Sequence, residues 1–227
     1  MPKLSNSNQN AYIISKEIPN NPVTHAYEAF VSNLIYANID QKYHILSFIP
    51  TMKKGVHANL VVNVGYQLTL KKKHVLIVDF DFRMPQLASC LVNPKPYGIY
   101  DYLFKNQEIN KMIQKDQSLG FDYLLVGQTI NSITQVLESD KLKEMMEHLK
   151  PMYDYILLIS PSMALSKDGL LISKLSDGII YFVSKKHSHK QDVDVNLFQL
   201  KKQSIPILGS LLIDYQEKER LLGIPLL

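Results

Sequence analysis

Val75-Leu76-Ile77-Val78-Asp79-Phe80-Asp81-Phe82-Arg83-Met84-Pro85 is the stretch on which the reading of this chain turns. Its first four residues are apolar, which suits a strand buried on both faces. The stretch then delivers two carboxylates and a guanidinium to the strand's C-terminal end. Open α/β sheets bind ligands at that end. Alternation along an extended segment puts Asp79 and Asp81 on one side and Phe80 and Phe82 on the other. Two carboxylates held together at a strand end suit a hydrated Mg²⁺ and the phosphates it carries. A solvated strand-to-loop corner accounts for the same pair equally well, and the pair alone leaves both readings open.

Outward from this stretch, the chain repeats one unit. His44 to Pro50 reads as a core strand stopped by Pro50. A loop from Thr51 to Gly55 follows, then an apolar helix from Ala58 to Leu70, closed by Lys71-Lys72-Lys73. Cations at a helix C-terminus are favoured by the helix dipole. Strand, loop, helix and strand over residues 44–79 make a βαβ unit, which requires a parallel sheet. Further strands are expected at 121–126, 155–159, 178–183 and 207–213. Helices are expected at 84–91, 98–104, 132–150, 167–174 and 189–202, and a leading helix from Thr24, with Thr24 as its N-cap. The alternation predicts a doubly wound, mostly parallel α/β domain. The domain is expected over 23–215, with a polar N-terminal arm at 1–22 and a short C-terminal tail at 216–227.

Composition sets the outer bounds. A chain of 227 residues fits one such domain, and 46% hydrophobic with 20% charged residues describes an ordinary globular protein. The net charge of +4 is modest and the basic residues are scattered, so no nucleic-acid partner is expected. One cysteine, Cys90, excludes an internal disulfide and fits a reducing cytoplasm. No apolar run is long enough for a membrane span and no signal peptide is legible, so the expected location is cytoplasmic.

In this fold the first strand-to-helix loop carries the chemistry. A phosphate loop needs glycines for backbone wrapping, a Lys for the β/γ-phosphates and a Ser or Thr for Mg²⁺. Here it reads Pro50-Thr51-Met52-Lys53-Lys54-Gly55-Val56-His57-Ala58-Asn59, with one glycine and no Gly-Lys-Ser/Thr.

The order and spacing of motifs resemble the cytoplasmic kinase domain of bacterial tyrosine kinases (BY-kinases) of the capsule and exopolysaccharide type. These are relatives of the MinD/ParA deviant P-loop ATPases. The resemblance covers roughly residues 20–214. It rests on Pro22 with Ala26-Tyr27, on the Asp-x-Asp-x-Arg element at Val75 to Arg83, and on Gly98-Ile99 with Tyr102-Leu103. It rests further on Gly127 with Thr134 to Ser139, on Tyr153-Asp154-Tyr155-Ile156, and on Asp177-Gly178. The resemblance implies a P-loop NTPase-like fold, ATP or ADP with Mg²⁺ as ligands, and a membrane adaptor of polysaccharide co-polymerase type or a kinase paralogue as partner. Contact with the membrane would come only through that partner.

The departures from the family pattern are as informative as the matches. The family's Gly-Glu-Gly-Lys-Ser/Thr falls on Lys54-Gly55-Val56-His57-Ala58, so His57 stands for the phosphate-binding Lys and Ala58 for the Mg²⁺-binding hydroxyl. The second acidic motif falls on Ile159, and an Asn used near the base falls close to Ile213 or Asp214. Asp79 and Asp81 remain as candidate catalytic groups, Asp79 also as a candidate Mg²⁺ ligand. Lys53, Lys54, Gly55, His57, Ala58 and Arg83 are candidate nucleotide contacts. The family's Glu-x-x-Arg-x-x-Arg falls on His25, Glu28 and Val31, and the C-terminal tyrosine cluster is reduced to Tyr215.

The resulting expectation is a kinase-like domain without efficient phosphoryl transfer, acting as a regulator in polysaccharide synthesis. The alternatives are an active tyrosine autokinase in which Lys53 or Lys54 reaches a phosphate, and a MinD/ParA-like positioning ATPase. Lys185-Lys186-His187-Ser188-His189-Lys190 reads as a solvated basic loop rather than a metal or anion site.

Overall fold

The computed structural model describes residues 13–39, 43–51, 57–130, 132–185, 187–216 and 220–226; at 57, 214–216 and 220–226 it describes the backbone alone. The strands are β1 (Ile45–Pro50), β2 (Val75–Asp79), β3 (Gln114–Asp116), β4 (Phe121–Leu124), β5 (Tyr155–Ile159), β6 (Gly178–Ser184), β7 (Ile207–Gln216) and β8 (Arg220–Leu226). The helices are α1 (Ile14–Glu17), α2 (Pro22–Ala37), α3 (His57–Leu70), α4 (Ile99–Lys105), α5 (Ile109–Met112), α6 (Ile133–Leu137), α7 (Asp140–Leu149), α8 (Asp168–Ser173) and α9 (Lys190–Lys201).

The strands join one sheet in the order β3-β4-β2-β5-β1-β6-β7-β8. All neighbours from β4 to β7 pair in parallel, and β3 and β8 pair antiparallel at the two edges. The doubly wound α/β domain expected from the alternation is therefore the one observed.

Every described side chain of β1, β2 and β5 is buried, as continuous apolar runs require in a sheet covered on both faces. The pleat sorts them. Leu46, Phe48, Val75, Ile77, Leu157 and Ile159 pack under α1, α2 and α3. Ile45, Leu76, Val78, Ile156 and Leu158 pack with α4, α6, α7 and α8 on the other face. Ile49, Ile179 and Tyr181 meet Leu200 of α9.

Several boundaries differ from expectation. Helix α2 begins at Pro22 and its N-cap is Asn21, whose side chain accepts the Val23 N–H at 2.9 Å. Proline suits the first helical position because its missing N–H has no intrahelical partner there. Thr24 is buried instead, and its hydroxyl donates to the Ile18 carbonyl at 2.8 Å. The segment expected as an arm over 1–22 is tied down in its latter part. Ile13 and Ile14 enter the core, and the Ser15 N–H donates to the buried side chain of Asn63 at 3.1 Å. The segment expected as a tail over 216–227 includes β8, an edge strand on β7. The single helix expected at 132–150 is two, because Ser139 caps α7 by accepting the Leu142 N–H.

Helix α4 shows why a glycine opens it. The N–H groups of Ile99 and Tyr100 donate to the carbonyls of Leu125 and Val126, both at 2.9 Å, so the helix start docks on the end of β4. A Cβ at Gly98 would stand 1.9 Å from the Leu125 carbonyl oxygen. Gly127, across from it, has a left-handed φ of 81°. Backbone cannot retreat as a flexible side chain can. Gly98→Ala is expected to destabilise the fold by about 2–3 kcal/mol. Gly169→Ala, whose Cβ would meet ordinary contacts of 3.4 Å and beyond, is expected to cost under about 1 kcal/mol. Urea denaturation of both variants checks this.

Candidate functional site

The site lies at the C-terminal ends of β1, β2, β5 and β6. Parallel register sets Asp79, the last residue of β2, beside Ile159, the last of β5. The Phe80 N–H then donates to the Ile159 carbonyl at 2.9 Å, and Phe80 and Phe82 pack edge to face with ring centroids 5.5 Å apart. Both rings are buried together, as alternation predicts.

Asp79 has no exposed surface, and both of its oxygens are engaged. Oδ1 accepts the Asp81 N–H at 3.0 Å, and Oδ2 accepts those of Gln86 at 3.0 Å and Leu87 at 2.9 Å. The carboxylate is thus a clamp that folds the loop after β2 back against the sheet. The same clamp explains why the helix expected at 84–91 shrinks to a 3-10 turn at Leu87–Cys90. Burial pushes the Asp79 carboxyl up to about 7, against the pull of the three N–H donors and with a further push from Asp81.

Asp81 turns to its own loop. It is buried, and Oδ1 accepts the Met84 N–H at 3.0 Å. Burial raises its carboxyl as well, with the Asp168 charge adding to the rise and Arg83 opposing it. Arg83 donates through Nε to Asp168 Oδ2 at 2.9 Å; its side chain is 56% exposed while that of Asp168 is 10% exposed. Asp168, the first residue of α8, was not visible as a partner in the sequence, because 85 positions separate the two. Thr51 and Ser188 were also missed. Their hydroxyls meet and tie the end of β1 to the loop after β6. Ser188 Oγ also accepts the Ser184 N–H at 2.9 Å.

Of the phosphate-loop candidates, Lys53, Lys54 and Gly55 lie outside the described residues, and His57 opens α3 with only its backbone described. Ala58, the second residue of α3, is fully buried in the core. The described residues do not fit a Mg²⁺–nucleotide of the kind the resemblance implies. Ala58 and Ile159 carry no side-chain oxygen, and both oxygens of Asp79 accept backbone N–H groups. Among the described residues no three His, Cys, Asp or Glu side chains converge on a metal position. That holds too for the described part of the basic loop at 185–190.

This architecture, with its site at the strand ends, defines a P-loop-like α/β domain. The profile of the AAA domain family matches residues 45–193, and the chain belongs to that family. Its relatives bear out the resemblance to bacterial tyrosine kinases. The putative tyrosine-protein kinase EpsB of Ralstonia solanacearum is 20% identical over 209 residues, which are 91% of this chain and 28% of EpsB. The tyrosine-protein kinase YwqD of Bacillus subtilis is 18% identical over 179 residues, covering 79% of this chain and 76% of YwqD. The kinase domain of the Escherichia coli tyrosine kinase ETK has the same fold, with a TM-score of 0.85 at 18% identity over 97% of this chain and 86% of that one. The chain thus spans little more than a quarter of EpsB. Among the described residues no helix is long and apolar enough to cross a membrane.

The clamp predicts a pH signature. A buried acid whose folded-state pKa is raised binds its proton more tightly in the folded protein. Its contribution is therefore present at acid pH and is lost as pH rises from about 4 to about 7. Wild type is expected to lose stability over that window relative to Asp79→Asn, measured as the difference of their urea midpoints. Asp79→Asn itself is expected to cost about 2–4 kcal/mol near pH 7, because an amide NH₂ faces N–H donors. Arg83→Ala removes a half-exposed ion pair and is expected to cost at most about 1 kcal/mol.

Proposed function

We propose that this domain is a bacterial-tyrosine-kinase relative that has lost phosphoryl transfer. It acts as a regulatory binding module in capsular or exopolysaccharide synthesis. Its partner is a membrane adaptor of polysaccharide co-polymerase type, or a kinase paralogue, and through that partner it works at the inner face of the membrane. The observation that carries this reading is the use of Asp79. Its buried carboxylate closes a loop, beside an aliphatic Ile159 where the family pattern has an acid.

The magnitudes favour loss of chemistry. Phosphoryl transfer rests on positioning and charge stabilisation by the loop, its lysine and Mg²⁺. Removing one such element costs roughly 10²–10³ in rate. Here His57 and Ala58 replace the lysine and the hydroxyl, and Ile159 replaces a carboxylate. The losses do not add simply, but several act on one step. What survives is a stable fold with a shaped strand-end surface, which is what a binding module needs. The second reading, an active tyrosine autokinase, draws on Lys53 and Lys54, which stand early in the loop.

Incubation of the purified protein with Mg-ATP, followed by phosphotyrosine detection beside an active kinase domain, separates the two. No phosphotyrosine is expected, on itself or on an added adaptor tail. Autophosphorylation that disappears in a Lys53→Ala/Lys54→Ala variant would establish the second reading. Co-purification with an adaptor tail or kinase paralogue is expected, and failure of every such pairing would overturn the partner assignment.

A further inference from the structure

At the end of the sheet opposite Asp79, the segments leading into β2 and β4 lie side by side, because Leu76 and Asp122 pair in parallel. One wall is the end of α3 with Lys71, Lys72, Lys73 and His74 behind it. Lys72 takes a left-handed φ of 59°, and the Lys73 N–H returns to the Leu68 carbonyl at 3.2 Å. The other wall is Gln117 to Gly120, held by a hydrogen bond from the Thr69 hydroxyl to the Leu119 carbonyl at 2.9 Å. Between the walls lies a concavity of about 470 Å³, lined by Tyr66, Leu70, Lys72, Lys73, His74 and Ser118 among others. Lys16 reaches the same rim from α1, its Nζ donating to the Ser118 carbonyl at 3.3 Å.

Among the described residues none of Lys71, Lys72 and Lys73 has a carboxylate partner. The neighbouring acids are turned to backbone: Asp116 accepts the N–H groups of Ser118 and Leu119, and Asp154 accepts that of His74. The partial negative charge at the end of α3 offsets only a fraction of the three lysines. Leu70, 54% exposed, adds an apolar spot to the lining.

We propose that this basic concavity docks an acidic, extended segment of a partner protein, with carboxylates on the lysines and an apolar side chain on Leu70 and Tyr66. Charge complementarity selects the sign of the partner. The lining selects its class. Interfacial binding to lipid draws on an apolar stripe, where this lining has one exposed leucine. The surface is at the far end of the fold from the strand-end site and does not depend on the loss of phosphoryl transfer.

The test uses the whole chain and a fluorescent peptide rich in Glu with one Leu, read by anisotropy. Binding is expected at low ionic strength and is expected to weaken by about tenfold or more between about 0.05 and 0.3 M salt. Lys72→Glu/Lys73→Glu is expected to weaken binding by at least about tenfold. Lys190→Glu/Lys201→Glu, the same charge change on exposed positions of α9, is expected to leave it within about twofold. Thermal melts of both variants establish that they are folded. Absence of binding by wild type overturns the proposal, as does equal loss in the two variants. Sedimentation with phosphatidylglycerol vesicles, reversed by the Lys72/Lys73 variant without any peptide binding, overturns it in favour of a membrane surface.

Discussion

A carboxylate with no exposed surface holds the loop after β2 in place, and the arrangement of the strand ends follows from it. Asp79 accepts three backbone N–H groups, those of Asp81, Gln86 and Leu87, from the loop that follows it. Burying a carboxylate is costly unless its lone pairs are satisfied, and burying the loop's N–H groups is costly unless they find acceptors. The two needs offset each other in part here, and burial remains the larger, since the Asp79 carboxyl is raised to about 7. With the loop folded back, Leu87, Cys90 and Leu91 enter the core beside α3, Phe80 and Phe82 seal the other face, and Arg83 is left at the rim, where it reaches Asp168.

The same constraint bears on function. A carboxylate that serves a metal must offer a lone pair to solvent or substrate, and one that serves as a clamp must not. In this chain both oxygens of Asp79 accept N–H groups, its neighbour across the register is Ile159, and Ala58 stands inside the core. Ala58 and Ile159 thus serve packing, and Asp79 serves the loop after β2. A rigid, doubly wound sheet remains a good platform for protein contacts, whether or not a nucleotide sits on it.

The sequence revealed the fold well where burial is on both faces. The runs at β2, β5 and β6 are apolar, β1 is interrupted only by the buried Ser47, and a covered parallel strand needs such a run. The edges were not legible: Gln114-Lys115-Asp116 has no apolar pattern, and it pairs because β4 offers an open edge. The start of α2 was misplaced because Thr24 and Asn21 are both good caps in isolation, and Pro22 decides between them. The stretch from Asp79 to Arg83 stands at the C-terminal end of β2, where its pattern put it. Alternation held past the end of β2: Phe80 and Phe82 pack together on one face, and Asp79 and Asp81 adjoin each other away from them. Asp168 and Ser188 were out of reach because only the closed sheet brings them to Arg83 and Thr51.

The most direct test of the central claim is a calorimetric titration of the folded protein with ADP and ATP, with and without Mg²⁺. A Mg²⁺-dependent nucleotide site needs side-chain oxygens that Ala58 and Ile159 lack and that Asp79 has turned to its own loop, so no binding heat is expected up to about millimolar nucleotide. Micromolar binding that requires Mg²⁺ would contradict the account and put the loop at Lys53 and Lys54 back at the centre of the protein's chemistry.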